Sequence, residues 1–342
     1  ALSTTSAETG AVLALANHPT FDPKDFSRVL TREQKQYLAY KKKIDAKVFP
    51  RPRLPIYATW DRARNGIVAP GSTMKPFTAI ASLQLGAIAP DEQVHCDKYF
   101  YIDGQRMKAL RCNGVHNDAD LRHALVHSCN IYFQTAMHRI FQANAETSFR
   151  GVMHGFGFGR STGVEGESSR MGRRSFRLDR PDGKEEPYGS RLQVGIGQGR
   201  ATAAPMQVAR AYAGIATGYL PRVHLVARRG SMETPVERVR LPVTPIHLEL
   251  VRQALHATND PDKPLGRAGL ARFEVACKTG TAQTGVANEY NAWLAGFAPA
   301  HANRPPIAFA MLVERSHKHG GDECARRLAE FLGRFYGTGD KQ

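Results

Sequence analysis

The chain has 342 residues, 42% hydrophobic and 23% charged, which is enough to bury a sizeable core as one large domain or two lobes. Its net charge of +16 suits an anionic neighbour such as an acidic polymer, a membrane surface or nucleic acid, and no apolar run approaches the ~20 residues of a membrane span. Five unevenly placed cysteines exclude a disulfide framework of the small secreted kind.

In chain order, GAVLALA (10–16) predicts a strand. It opens without a lead-in or signal-peptide pattern, so a fragment lacking an N-terminal portion is expected. The next fifty residues are irregular and rich in Pro and Lys. From Ser72 to about Gly86, the apolar positions Met74, Phe77, Ile80, Ala81, Leu83 and Leu85 have helical spacing, and a glycine ends the run. Pro76 falls in the first turn, where a missing N–H matters least.

Residues 90–117 read as a turn-rich segment, and residues 118–140 as a helix opened by aspartates and interrupted at Ser128–Cys129–Asn130. Residues 155–200 read as loop, and residues 204–217 as a small-residue helix. The last third predicts strands over 272–282, 291–299 and 305–315, then an amphipathic helix over 322–337. Late strands with short connections suggest an antiparallel sheet with that helix against it, joined by the opening strand.

Ser72 and Lys75, three apart behind a Pro-Gly turn, could be a helix cap with a surface lysine or a nucleophile with its base. Two motifs further along the chain decide between them. Ser128–x–Asn130 comes 56 residues after Ser72, and Lys278–Thr279–Gly280–Thr281 lies 150 residues beyond Ser128. S-x-x-K, S-x-N and K-T-G in this order form the signature of the penicilloyl serine transferases. A serine hydroxyl needs a neighbouring base, and enclosure with nearby positive charge can keep a lysine amine neutral enough to serve. Lys278 is a candidate for that charge.

With the segments APGSTMKPFTAI, SCNIYF, GFGFGRSTGVEGE, VGIGQGRATAAPMQVARAYA, KTGTAQ and AWLAGFAPA, nearly the whole chain resembles the transpeptidase domain of class B penicillin-binding proteins, in its elongation-type form. The resemblance implies an α/β fold of the α+β type: an antiparallel five-stranded sheet flanked by helices (about 1–70 and 265–342), plus a helical lobe (about 71–264). It implies one transpeptidase domain over 1–342, with the membrane anchor and N-terminal pedestal of the family outside this chain. The implied reaction is peptidoglycan D,D-transpeptidation through a serine acyl-enzyme that β-lactams also form.

In that reading Ser72 attacks, Lys75 is its base and Ser128 passes a proton toward the leaving amine. Asn130 binds the substrate's peptide amide, and Lys278, Thr279, Gly280 and Thr281 receive the terminal carboxylate. The amides of Ser72 and Thr281 make the oxyanion hole. The implied partners are stem peptides, β-lactam antibiotics, a multi-span SEDS-type glycan polymerase, elongation scaffold proteins and, through the anchor, the inner membrane. The domain is placed in the periplasm, and no nucleic acid is expected.

Three other readings share the residues. A D,D-carboxypeptidase would use water as acceptor. A β-lactamase would use Glu165 or Glu167 for deacylation. A zinc-dependent nucleic-acid binder would use the Cys/His residues with the basic runs 41–53, 170–180 and 222–230.

Cys96, Cys112, His116 and Cys129 read C-x15-C-x3-H-x12-C, a Cys3His set suited to structural Zn2+. By the resemblance, homologues can carry a mixed-ligand zinc site in this region. A Cys96–Cys112 disulfide is the alternative. His95, His123 and His127 compete as fourth ligand, and catalysis itself needs no cofactor.

Overall fold

The computed structural model describes residues 1–18, 61–168, 175–177, 182, 184, 186–260, 265–299 and 306–337. The chain groups into two compact units, Ala1–Ala16 with Arg62–Gln342, and Asn17–Asp61. The basic run 41–53, and all of 170–180 except 175–177, lie outside the described residues.

A five-stranded antiparallel sheet organises the first unit. β1 (Leu2–Ser6) and β2 (Val12–Ala16) come from the start of the chain, and β7 (Ala276–Gln283), β8 (Tyr290–Ala298) and β9 (Ile307–Ser316) from its end. Their order is β7-β8-β9-β1-β2. Ala276 faces Phe297 across β7/β8, Gly296 faces Phe309 across β8/β9, and Leu2 faces Met311 across β1/β9.

Both faces of this sheet are covered, so β8 and β9 read as nearly continuous apolar runs. The period of two still sorts them. Leu294, Ala298, Phe309 and Met311 pack against Leu328 and Leu332 of the last helix. Trp293, Ala295, Phe297, Ala308 and Ala310 turn the other way, into the main core. That helix, α7 (Gly320–Phe335), starts two residues earlier than its apolar stripe suggests.

The main core is helical. α1 (Lys75–Gln84) follows a 3-10 turn over Gly71–Met74, so Ser72 sits on the tight turn and Lys75 opens the α-helix. The helix expected over 118–140 is two: α2 (Leu121–Val126) and α3 (Asn130–Gln142). Asp120 caps α2 by accepting from the His123 amide at 2.7 Å. The break falls at Ser128, whose φ of +58° no helix continues. The sequence does not announce α4 (Glu146–Gly155) or α6 (Pro245–His256), whereas α5 (Pro205–Thr217) matches expectation and fills the space between sheet and α1.

β1 escapes a hydrophobicity-based reading because Leu2–Ser6 is mostly hydroxylic. Ser3, Thr4 and Thr5 are nevertheless fully buried. Ser3 donates to the Ala63 carbonyl at 3.1 Å and Thr4 to the Ala14 carbonyl at 3.4 Å, so these two hydroxyls stay paired, while Thr5 Oγ1 finds no hydrogen-bond partner among the described residues. The turn-rich segment 90–117 holds two small ribbons. β3 (Val94–Cys96) pairs with β6 (Asn117–Ala119), and β4 (Tyr99–Ile102) with β5 (Gln105–Arg111). The β3/β6 pair places Cys96 directly opposite Asn117, next to His116.

Candidate active site

Three elements converge: the turn entering α1, the break between α2 and α3, and edge strand β7. Their approach is set by glycine. A Cβ on Gly280 would lie 2.7 Å from the Pro70 carbonyl oxygen and 3.0 Å from Thr73 Cγ2, so only glycine lets β7 press against the turn that bears Ser72. On the other side the Gly71 amide donates to the Gly197 carbonyl at 2.9 Å, and a Cβ on Gly197 (φ +73°) would meet the Gly71 oxygen at 2.0 Å. Gly197 thus holds the turn from behind. Gly280→Ala is expected to destabilise the fold by about 1–3 kcal/mol through overpacking. It should also slow acylation, because the Ser72 and Thr281 backbones must separate. Denaturant titration alongside labelling rates checks both effects.

At the centre, the Lys75 ammonium donates to the Ser128 carbonyl at 2.6 Å, to Asn130 Oδ1 at 2.7 Å and to Ser128 Oγ at 3.0 Å. Ser128 Oγ in turn donates to Ser72 Oγ at 3.0 Å. A continuous path therefore runs from lysine to Ser72 through one hydroxyl. The left-handed backbone at Ser128 aims both its carbonyl and its hydroxyl at the same amine. Asn130 is the first residue of α3, but its side chain is no helix cap. Its oxygen faces Lys75 and its nitrogen donates to the Arg111 carbonyl at 3.0 Å.

Lys75 is fully buried, and its nitrogen stands 5.5 Å from the centroid of the Phe133 ring. Burial, helped by the positive charge of Lys278, pushes its pKa down to about 7. Burial also lowers Lys278, to about 8, against the opposing pull of Cys277. Both amines are thus poised near neutrality in one enclosure. The Lys278 amine donates to the Thr279 carbonyl at 3.3 Å. Thr281 Oγ1 accepts from the Gly320 amide at 3.2 Å, which leaves the hydroxyl proton available to an incoming acceptor.

Supports that sequence reading missed stand behind this arrangement. The Tyr212 hydroxyl, fully buried, donates to the Thr73 carbonyl at 2.9 Å, and Trp293 Nε1 donates to the Ala69 carbonyl at 3.0 Å. Each holds the backbone of the Ser72 turn from the core. An aromatic with a polar tip in an otherwise apolar run was their one available signal.

The loop carboxylates are engaged elsewhere. Glu167 accepts from the Thr162 amide at 2.9 Å and the Thr162 hydroxyl at 3.0 Å, closing its own loop. Glu165 accepts from the Leu225 amide at 2.7 Å. Their bonding is that of a loop brace, and the Ser72–Lys75–Ser128 path is built without them.

Beside the site, Cys96, Cys112, His116 and Cys129 bring one donor atom each to within 4.8 Å of one another. His116 Nδ1 is 3.3 Å from Cys112 Sγ and 3.6 Å from Cys96 Sγ. All five cysteines are free thiols, so Cys96 and Cys112 are not bonded to each other. The Cys129 thiol and the Asn130 amide, the latter at 3.0 Å, both favour the thiolate form of Cys112. Cys129 and Asn130 thus link the cluster to the break that presents Ser128.

Residues 3–332 match the family described as the penicillin binding protein transpeptidase domain. Among curated relatives, the peptidoglycan D,D-transpeptidase MrdA of Escherichia coli K12 is 29% identical over 92% of this chain and 51% of that protein. The protein of the same name from Acinetobacter baumannii is 28% identical over 94% of this chain and 48% of its own length. The chain therefore spans about half the length of the curated relatives it matches.

Among solved structures, Pseudomonas aeruginosa penicillin-binding protein 2 in complex with WCK 5153 superposes with a TM-score of 0.75 at 25% identity, covering 98% of this chain and 73% of that one. A chain of a peptidoglycan synthase complex that coordinates polymerization and crosslinking gives a TM-score of 0.79 at 24% identity, over 100% of this chain and 56% of that one. Penicillin-binding protein 2 of Helicobacter pylori in complex with MreC gives 0.75 at 21% identity, over 99% and 60%.

Proposed function

Because this chain belongs to the penicillin-binding protein transpeptidase family, we propose that it is a peptidoglycan D,D-transpeptidase that works through an acyl-enzyme on Ser72. The observation that carries the reading is the hydrogen-bonded path Lys75–Ser128–Ser72, ending on a buried amine whose pKa falls to about 7.

A neutral Lys75 keeps two N–H groups for the Ser128 carbonyl and Asn130 Oδ1, and its lone pair then faces Ser128 Oγ. Both hydroxyls rotate, so the Ser72 proton passes to Ser128 Oγ while the Ser128 proton passes to Lys75. Ser72 Oγ bonds the penultimate D-alanine carbonyl carbon of a stem peptide. The oxyanion forms between the amides of Ser72 and Thr281, which the close fit at Gly280 holds together. The C–N bond then breaks, D-alanine leaves with a proton returned through Ser128, and an ester remains on Ser72. An amine of a second stem attacks that ester, giving up its proton along the same path, and releases the cross-linked product. Asn130 orients the donor's amide, and Lys278 with Thr279 and Thr281 receives its carboxylate. A β-lactam follows the first half of this route and stays as the ester.

The described chain is read as one such domain, with the sheet lobe and helical lobe meeting at the site. Its setting is proposed to be the periplasmic side of the inner membrane, in a membrane-anchored protein that works with a glycan polymerase and an elongation scaffold protein. Among the described residues no helix is long and apolar enough to cross a membrane. The remaining basic surface is read as facing anionic envelope material.

We further infer that Cys96, Cys112, His116 and Cys129 hold a structural Zn2+. Tetrahedral zinc–sulfur bonds of about 2.3 Å put ligand atoms about 3.5–4 Å apart. The thiol–imidazole distances and the cluster's 4.8 Å spread suit that ion with small adjustment. Bound there, the ion would tie β3 and the 112–116 turn to the Ser128 break. Removing it with a chelator is expected to lower both melting temperature and acylation rate, because metal binding contributes folding energy. Elemental analysis should return about one zinc per chain before treatment. Metal-free protein with undiminished acylation would contradict this.

The transpeptidase reading is tested by incubating the protein with a defined D-Ala–D-Ala stem peptide and an acceptor amine, with products identified by mass. A cross-linked dimer is expected. Release of D-alanine with only the hydrolysed tetrapeptide would mark a carboxypeptidase instead.

A further inference from the structure

Three imidazoles form a triangle beside the thiol cluster. The His127 amide bonds the His123 carbonyl at 2.9 Å, so the two residues stand one turn apart at the end of α2. That spacing puts their rings on one face. Their centroids are 4.3 Å apart and tilted by 33°. Each is 6.2 Å from the ring of His116. His116 in turn directs Nδ1 at the sulfurs of Cys96 and Cys112.

Burial rises from the pair toward the thiols. His127 is exposed, His123 and His116 are half-buried, and Cys96 and Cys129 are fully enclosed. A cavity of about 310 Å3 opens beside the pair, lined by Asp120, Arg122, His123, His127 and, from the turn after α6, Ala257 and Asp260.

We propose that His123 and His127 form a second, solvent-accessible site for a divalent transition metal of the zinc type, and that this site delivers zinc to the buried cluster. Neutral imidazole is a good donor for such ions, and two histidines at i, i+4 on a helix are a recurrent chelating pair. With two protein donors, the rest of the coordination shell is left to solvent, so the ion exchanges readily. The closed four-donor cluster holds its ion instead. The thiols offer no exposed surface for direct capture, whereas His116 is the half-buried member of the cluster and the pair stands on its side. The delivery step rests on the zinc reading of the cluster; binding at the pair does not.

The test is calorimetric titration of the chelator-treated protein with Zn2+ alone, in wild type and in the His123→Gln/His127→Gln double variant, which keeps size and polarity. Wild type is expected to show one tight event and a second, weaker one. The double variant removes both protein donors, so it should keep the tight event and lose the second. Stopped-flow loading of metal-free protein should slow in the double variant and stay unchanged in His317→Gln, which alters an exposed histidine outside the cluster. A tight event alone in wild type, or a weaker event that survives the double substitution, overturns the site. Unchanged loading with a lost second event overturns delivery alone. A missing tight event beside a second one that the variant abolishes would sink the zinc cluster and delivery, and leave the pair standing as a site. Equal melting temperatures of the two proteins rule out misfolding as the cause.

Discussion

Lys75→Ala is expected to lower the rate of acylation by a β-lactam by about 10²–10⁴-fold, the usual worth of a positioned general base. Ser72 would remain, with its oxyanion amides and carboxylate-binding strand, but its proton would have no acceptor beyond Ser128. The loss should fall on the acylation step rather than on reversible binding, because Lys75 is buried beneath Ser128 and Asn130. The pH profile carries the same information. With a pKa lowered to about 7, the active neutral amine accumulates as pH rises, so wild-type acylation should climb through a limb centred near pH 7. Lys278 holds that pKa down by repulsion. Lys278→Ala should therefore move the limb to higher pH and weaken the reaction less completely than loss of Lys75. Stopped-flow acylation between pH 5.5 and 9 (roughly one to two units either side of the limb) checks both. A flat profile would remove Lys75 from the role of base.

Much of this site is visible in the sequence because its chemistry needs fixed residue types at short range. Ser72 and Lys75 must share one turn, and Ser128 and Asn130 must flank one residue; such pairs survive as motifs. The Cys96, Cys112, His116 and Cys129 set is equally legible, since few other roles gather three thiols and an imidazole within 34 residues.

What escaped is set by long-range contact. Tyr212 and Trp293 brace the Ser72 turn from 139 and 224 residues away, and no local pattern encodes those pairings. Phe133 meets the Lys75 amine only because the break at Ser128 redirects α3. That break is itself visible only as an interruption, since a serine at φ +58° leaves no compositional mark. β1 was hidden for a different reason. Its residues are strand formers by shape, yet their buried hydroxyls remove the apolar alternation that strand reading depends on. The strands β7, β8 and β9 and helices α1, α5 and α7 were readable because their apolar positions follow the faces they bury.

The central claim is that Ser72 becomes covalently acylated, and intact-mass spectrometry with benzylpenicillin tests it most directly. Wild-type protein should gain the mass of one penicillin, and peptide mapping should place it on Ser72. Ser72→Ala removes one hydroxyl on a turn held by Gly197, Tyr212 and Trp293, so the fold should survive while the adduct disappears. An adduct that persists in the alanine variant at the wild-type rate, or maps to another residue in the wild type, would contradict the account.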